Sequence, residues 1–428
     1  MLQERSKTRF VVDLRRIYQR RLSATRLPEI FEEVVKMNAK LLMAIVLGFL
    51  GWSSTRLQAS SDELVVHEWG TFTSIAGSNS QILEWNPYRG GAELPRFVHG
   101  SKISATGTVR METPVIYFYS PKELTCTVKV SFPSGQITEY YPMPALTAYP
   151  VKDVQWNSVE LLPGRAVNLP QEKNANHYYH ARETEAVPLR VWKGNVIDEY
   201  EKFLFYRGVG TFAMPLSVQV HEDKVVVRQA AREIKELIFF ENRKGRTSCL
   251  QYGLQSSARI VDRLLPDCSV ESLKRDLEML LTAHGLFPKE AEAMVRTWEG
   301  SWFEEGFRVF YVLPRQQTDA ILPLEITPRP NKLVRVLVGR MEIMTPEAVQ
   351  GILQLLTRLK AMPGAKNWEI SDARQRYGRF LSPMIQRVLE EHPNLWDPSL
   401  EPSLRSLGLR RTKGVLPKQS DKPRVEGG

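Results

Sequence analysis

The segment His67-Glu-Trp-Gly-Thr-Phe-Thr-Ser74 sets two ionisable side chains and a tryptophan inside Leu64 to Phe72, a run with the β-branched and aromatic content of a buried strand. Three further polar islands interrupt apolar or aromatic stretches. They are Arg110-Met-Glu112, His177-Tyr-Tyr-His180-Ala-Arg182-Glu183, and Arg207 after Phe203-Leu-Phe-Tyr206. An ionised carboxylate in such surroundings needs a cation or a hydrogen-bond donor, because burying it alone is costly. Two chemistries follow. In the first, Glu68, Arg110, Glu112, Arg182, Glu183 and Arg207 form a buried ion network that fixes sheet register and performs no reaction. Glu68 then faces Arg110, Arg182 or Arg207. In the second, Glu68, Glu112, Arg110, Arg182 and Arg207 are catalytic, with Glu68 and Glu112 as the acid/base pair of a glycoside hydrolase, a role that needs the two carboxyls roughly 5–10 Å apart across a cleft.

The third island also offers metal chemistry. His177 and His180 share a face if their segment is helical or turn-like, and point apart on a flat strand. With His67 and Glu183 they would make a His/carboxylate set of the kind that holds zinc with one position open for water. The alternative is a polar loop following Asn174 and Asn176. There is no HExxH, no Cys/His zinc spacing, no Gly-x-Ser-x-Gly elbow, no GxGxxG and no phosphate-binding loop pattern. Trp298 and Trp302, four apart on a helical pattern, read as core, with a sugar-stacking platform as the alternative. Trp85, before Asn86-Pro87, is a second exposed-aromatic candidate.

The elements that position these groups can be read in outline. On the strand at Leu64–Phe72, alternation places Val65, His67 and Trp69 on one face and Val66 and Glu68 on the other. Gly70 marks a bulge or a close backbone approach, and Pro114 bends the run Thr108–Tyr119. Hairpin signals join Thr125–Phe132 to Gln136–Tyr141, Leu216–Val220 to Val225–Arg228, and Ile234–Phe240 to Thr247–Tyr252. Ser269 caps a helix that Gly285 closes, and Pro288 opens a second, to about Trp302. Strands Arg308–Leu313, Ile321–Ile326 and Leu333–Met344 follow, then helices from Thr345 to about Lys360 and from Asp372 to Glu390. The fold class is α+β, mainly β: a β-sandwich-like part at 60–265, then a mixed part at 266–403 with a helical hairpin at 269–303, further strands and C-terminal helices.

The two ends differ from this core. Met37-Asn-Ala-Lys40, the apolar run Leu41–Trp52 and the polar segment Ser53–Ala59 have the make-up of a signal peptide at 37–59. Twelve apolar residues are too few for a span of about 20, so no transmembrane anchor is expected after cleavage. Residues 1–36 then read as a gene-start extension, with translation beginning at Met37. The chain carries 58 Lys and Arg against 48 Asp and Glu, but residues 60–403 hold 40 against 41. The basic excess sits in residues 1–59 and in the tail 404–428, which is read as disordered. No basic core means no nucleic-acid partner is expected. Of the three cysteines, Cys126 reads as a buried apolar residue, and Cys249 and Cys268 are placed to pair in an oxidising compartment.

His67–Ser74, Arg110-Met-Glu-Thr-Pro114 and Glu201-Lys-Phe-Leu-Phe-Tyr-Arg-Gly208 resemble recurrent segments of an uncharacterised family of exported bacterial proteins. The likeness extends through Arg335-Val-Leu-Val-Gly-Arg340 to Thr345-Pro346. It implies a bacterial exported protein and carries over no catalytic residue; the extension at 1–36 departs from the pattern. The expectation is therefore a periplasmic or extracellular binding or scaffold module with an envelope glycan or protein partner. The alternative is a secreted hydrolase, metal-assisted or acting on glycans.

Overall fold

The computed structural model describes residues 63–409 except 78, 85–93, 101–104, 147–148, 193–197, 231–232, 255, 264, 362–366 and 407–408. Residues 1–62, which include the expected extension 1–36 and signal peptide 37–59, lie outside the described residues, as do Trp85 and everything beyond 409. Of the tail expected to be disordered from 404, residues 404–406 are helical and Leu404 is buried. In chain order the strands are β1 (Val65–Ala76), β2 (His99–Gly100), β3 (Val109–Tyr119), β4 (Leu124–Ser131), β5 (Gly135–Tyr141), β6 (Ala145–Leu146), β7 (Asp153–Leu161), β8 (Leu189–Val191) and β9 (Glu199–Glu201). They continue with β10 (Leu204–Gly210), β11 (Leu216–His221), β12 (Lys224–Gln229), β13 (Glu236–Arg243), β14 (Arg246–Gly253), β15 (Ala258–Asp262), β16 (Gly306–Val312), β17 (Leu324–Thr327) and β18 (Lys332–Ile343). The helices are α1 (Val270–Ala283), α2 (Pro288–Trp302), α3 (Arg315–Ile321), α4 (Pro346–Ala361), α5 (Asn367–Tyr377), α6 (Leu381–Glu391) and α7 (Glu401–Ser406).

A nine-stranded sheet organises the chain, in the order β14-β13-β16-β18-β1-β3-β10-β5-β2. Strand β1 is central, parallel to β18 and antiparallel to β3. The sheet draws strands from both sides of residue 265, so the boundary expected there falls inside one sheet. One face packs against a six-stranded sheet and a three-stranded one (β11-β12-β15), giving the sandwich-like part. Phe72, Met111, Ile116 and Leu337 share that core with Val128, Trp156 and Leu161. The other face carries two apolar clusters under helices. Trp69, Val115 and Val338 pack on Leu277, Met294 and Trp302 of α1 and α2. Ile75 and Met344 pack on Leu356 and Ile385 of α4 and α6.

Local chemistry accounts for the hairpin helices. The Ser269 side chain accepts the N–H of Ser272 at 3.1 Å, and Gly285 leaves α1 at φ +107°. The expected helix Asp372–Glu390 is instead two, α5 and α6, broken where Gly378 takes φ +51°. A Cβ on Gly70 would lie 2.9 Å from the backbone of Pro114, and the β1/β3 register shifts beside it. The bulge at Gly70 and the bend at Pro114 are thus one feature. It forces Thr113, a β-branched residue, to φ +39°, a conformation with a real energetic cost. Cys126 is buried with a free thiol, and Cys249 is bonded to Cys268, tying β14 to the start of α1.

Candidate functional site

Glu68 projects from β1 into the sandwich core and is fully buried. It lies directly opposite Arg335 in the parallel register, and Arg335 Nε donates to its Oε2 at 2.5 Å. The Tyr206 hydroxyl donates to Oε1 at 2.5 Å. Arg335 Nη1 also donates to Asp319 Oδ1 at 2.7 Å, on α3 near the surface. Burial pulls the Arg335 guanidinium down, but Glu68 beside it overrides this and holds it above its usual range. Burial and the neighbouring Glu68 raise the Tyr206 phenol well above its ordinary value. Glu68 does face a cation, but not Arg110, Arg182 or Arg207. An apolar strand shows that a carboxylate needs a partner; it does not show which distant strand will lie beside it.

His67 points the other way. Its Nδ1 is 2.7 Å from Glu290 Oε2, and both side chains are fully buried. Glu290 also accepts the Tyr119 hydroxyl at 2.8 Å and the Phe287 N–H at 2.7 Å, capping the start of α2. The imidazole packs on Phe287 at 4.4 Å. So His67 ties the central strand to a helix, while Glu68 ties it to its neighbour strand on the opposite face.

Arg110 and Glu112 belong to the helix-side face, between its two apolar clusters. An alternating chain of charges runs there: Arg110–Glu112 at 3.2 Å, Glu112–Arg379, Arg379–Glu304 at 3.9 Å, Glu304–Arg340 at 2.8 Å, Arg340–Glu342 at 3.2 Å and Glu342–Arg308 at 2.9 Å. Thr73 donates to Glu112 at 2.7 Å. Arg340 is fully buried, and burial and the nearby Arg308 push its guanidinium down to about 9. Its Nε and Nη1 have no hydrogen-bond partner, nor do Nε and Nη2 of Arg379. Burial raises Glu342 above the usual carboxylate range. Glu68 and Glu112 therefore sit on opposite faces of the sheet, which removes them as an acid/base pair across a cleft.

The remaining candidates form two separate pairs. Arg182 binds Glu201 through contacts of 2.6 and 2.9 Å, with Tyr178 donating to the same carboxylate at 3.1 Å. Burial raises Glu201 despite Arg182. Arg207 grips Glu139 bidentately at 2.8 and 2.7 Å. The single network expected around Glu68 is thus several, because strand alternation and the bulge send its members to different faces. The partners missed from sequence were Glu139, Glu201, Glu290, Glu304, Arg308, Arg335, Arg340, Glu342 and Arg379. The charges on β16 and β18 gave the same signal as Glu68, an ionisable group inside an apolar strand.

The His177 island opens to solvent. His177–Arg182 is a 3-10 turn capped by Asn176, whose side chain accepts the Tyr178 N–H at 2.9 Å. Residues three apart eclipse in such a turn, which puts His177 and His180 on one side. They line a cleft of about 630 Å³ against the last turns of α2, with Glu183, Arg296, Gly300 and Arg379. His180 Nδ1 is 3.0 Å from Glu183 Oε1, and Glu183 also pairs with Arg296. Trp298 shows one edge to the cleft and is otherwise core, and Trp302 is wholly core. His67 is bonded elsewhere, and among the described residues no three His, Cys, Asp or Glu side chains gather to hold a metal ion. The expected set His67, His177, His180 and Glu183 does not assemble.

No family model matches the chain, and no curated protein matches it. Solved structures with some likeness include the yeast delta-COP-I mu-homology domain complexed with a Dsl1 WxWxV peptide, at TM-score 0.27 and 7% identity over 66% of this chain and 96% of that one. The same yeast domain alone gives 0.27 and 7% over 66% and 95%. The Fcho1 mu homology domain of Danio rerio with a bound Eps15 peptide gives 0.24 and 7% over 66% and 96%. Scores this low leave function to the site's own geometry. No helix among the described residues is long and apolar enough to cross a membrane.

Proposed function

We propose that this protein is an exported binding module of the bacterial cell envelope and that it takes its partner, a glycan or a protein, in the cleft between the His177–Arg182 turn and α2. The observation that carries this reading is a contrast in access. The islands at His67/Glu68, Arg110/Glu112 and Arg207 are buried and occupied by their own ion pairs, whereas the His177/His180 island lines open space. The Cys249–Cys268 bond is compatible with an oxidising compartment. The alternative, a secreted hydrolase, keeps one supporting feature: the Glu183 carboxylate at His180 Nδ1 is the arrangement that orients an imidazole for proton transfer.

Gly300 provides the test. It lies on α2 at the cleft wall, and a Cβ there would meet nothing within 4 Å. Gly300→Trp sets a bulky side chain at the cleft from a position with room at its Cβ, and replaces a poor helix former. The expected result is an unchanged or raised melting temperature and loss of retention on an isolated bacterial envelope fraction that retains the wild type. Retention equal to wild type would contradict the reading. Hydrolysis of envelope glycans that disappears in His180→Ala would favour the hydrolase.

A further inference from the structure

One of the residues lining the cleft is an arginine whose charge the protein only partly matches. Arg379 is 16% exposed and lines the cleft. It shares both of its carboxylates with another guanidinium: Glu112 also pairs with Arg110, and Glu304 lies closer to Arg340. Its Nε and Nη2 have no hydrogen-bond partner, and neither do Nε and Nη1 of Arg340, which donates through Nη2 to the carbonyl of Ser301 on the cleft wall. Buried, unpaired guanidinium donors are rare and call for an explanation. The other cleft charges are matched already: Glu183 by Arg296 and His180, and Glu299 by Lys274. Of that chain of charges Arg379 is the member that lines the cleft, so the positive charge that its shared carboxylates leave over lies beside open space.

We infer that the cleft is an anion site, and that the partner presents a compact oxyanion, a carboxylate or a phosphate, to Arg379. This rests on the cleft being the binding site. A guanidinium attracts either group by charge, both being compact oxyanions. Removing a competing carboxylate should strengthen the site, and removing the guanidinium should abolish it.

Calorimetric titration of the purified full chain tests this with inorganic phosphate, glucuronate and, as the neutral control, glucose. Phosphate or glucuronate should bind and glucose should not; whichever anion binds more tightly tells a phosphorylated from a carboxylate-bearing partner. Arg379→Gln should weaken binding at least tenfold. Glu304→Gln, which frees Arg379 and Arg340 from a shared carboxylate, should tighten it threefold or more, and it decides the matter if Arg379→Gln does not fold. An absence of anion binding, or affinities unmoved by both substitutions, would overturn the inference. If Gly300→Trp abolishes envelope retention while no anion binds the wild type, the binding-module reading stands and the anion site alone fails. If anions bind through Arg379 while Gly300→Trp retains the envelope fraction, the anion site stands and the envelope reading alone fails.

Discussion

Two buried charge clusters hang from the same central strand, and they are built differently. On the sandwich side, Glu68 uses one oxygen for Arg335 and the other for Tyr206, so the carboxylate is closed, while Arg335 Nη2 alone is left without a hydrogen-bond partner. On the helix side, Arg110, Glu112, Arg379, Glu304, Arg340, Glu342 and Arg308 alternate in a chain whose carboxylates are each shared by two guanidiniums. Two of those guanidiniums keep unpaired donors, and one of them lines a cleft. Burial is common to both clusters, so burial does not mark a site. What separates the two is that one member of the second, Arg379, lines open space.

The largest effect is expected from removing charge at Glu68. Glu68→Gln keeps the shape but leaves Arg335 with Asp319 alone, and breaking such a buried pair costs about 3–5 kcal/mol. The thermal midpoint should fall by several degrees or more. An unchanged or raised midpoint would sink the structural role assigned to Glu68.

Next in size is the covalent tie. Cys249 and Cys268 are 19 residues apart, and a loop of that length predicts a contribution of about 3 kcal/mol by chain entropy. Cys268→Ser should lose about that much in denaturant titration. Thiol counting under denaturing, non-reducing conditions should find one free thiol, Cys126; three would refute the bond.

The open cluster should respond less than the closed one. Arg340→Met leaves Glu342 with Arg308 and Glu304 with Arg379, and it removes two unpaired donors. The expected loss is about 1–2 kcal/mol, smaller than for Glu68→Gln. Equal losses would mean that the two clusters are compensated alike.

The smallest effect is a pH dependence. Hydrogen bonding from Arg263 holds the Glu347 carboxyl down at about 2, against an ordinary 4.5. A depressed folded-state value gives stability that is present above about pH 4.5 and is lost as pH falls toward 2. Because Glu347 is more than half exposed, solvent screening keeps the effect small. Between pH 6 and 2 the wild-type midpoint should fall slightly further than that of Glu347→Gln; parallel curves would remove the pair from the acid response.

Much of the local structure was legible in the residues. Alternation separated His67 from Glu68, Gly70 and Pro114 announced a bulge and a bend, and Ser269 and Pro288 announced the helical hairpin. The three-residue spacing of His177 and His180 allowed for the turn that now sets them side by side. What the residues concealed was pairing at a distance. Strands β1 and β18 lie parallel with no turn between them to set the register, so nothing local linked Glu68 to Arg335, 267 residues away. The same applies to the cleft: His180 and Arg379 belong to different elements, and only the packed helices bring them to one opening.

The most direct measurement of where this molecule works is site-specific crosslinking. Gly300 lines the cleft and Gly253 lies on β14, and at both positions a Cβ would meet nothing within 4 Å, which makes them matched sites for a photoreactive side chain. Each variant would be irradiated with the envelope fraction and its adducts resolved by mass. A discrete adduct is expected from position 300, absent from position 253 and suppressed by whichever oxyanion binds the wild type. Adducts equal at the two positions, or none from position 300, would contradict it.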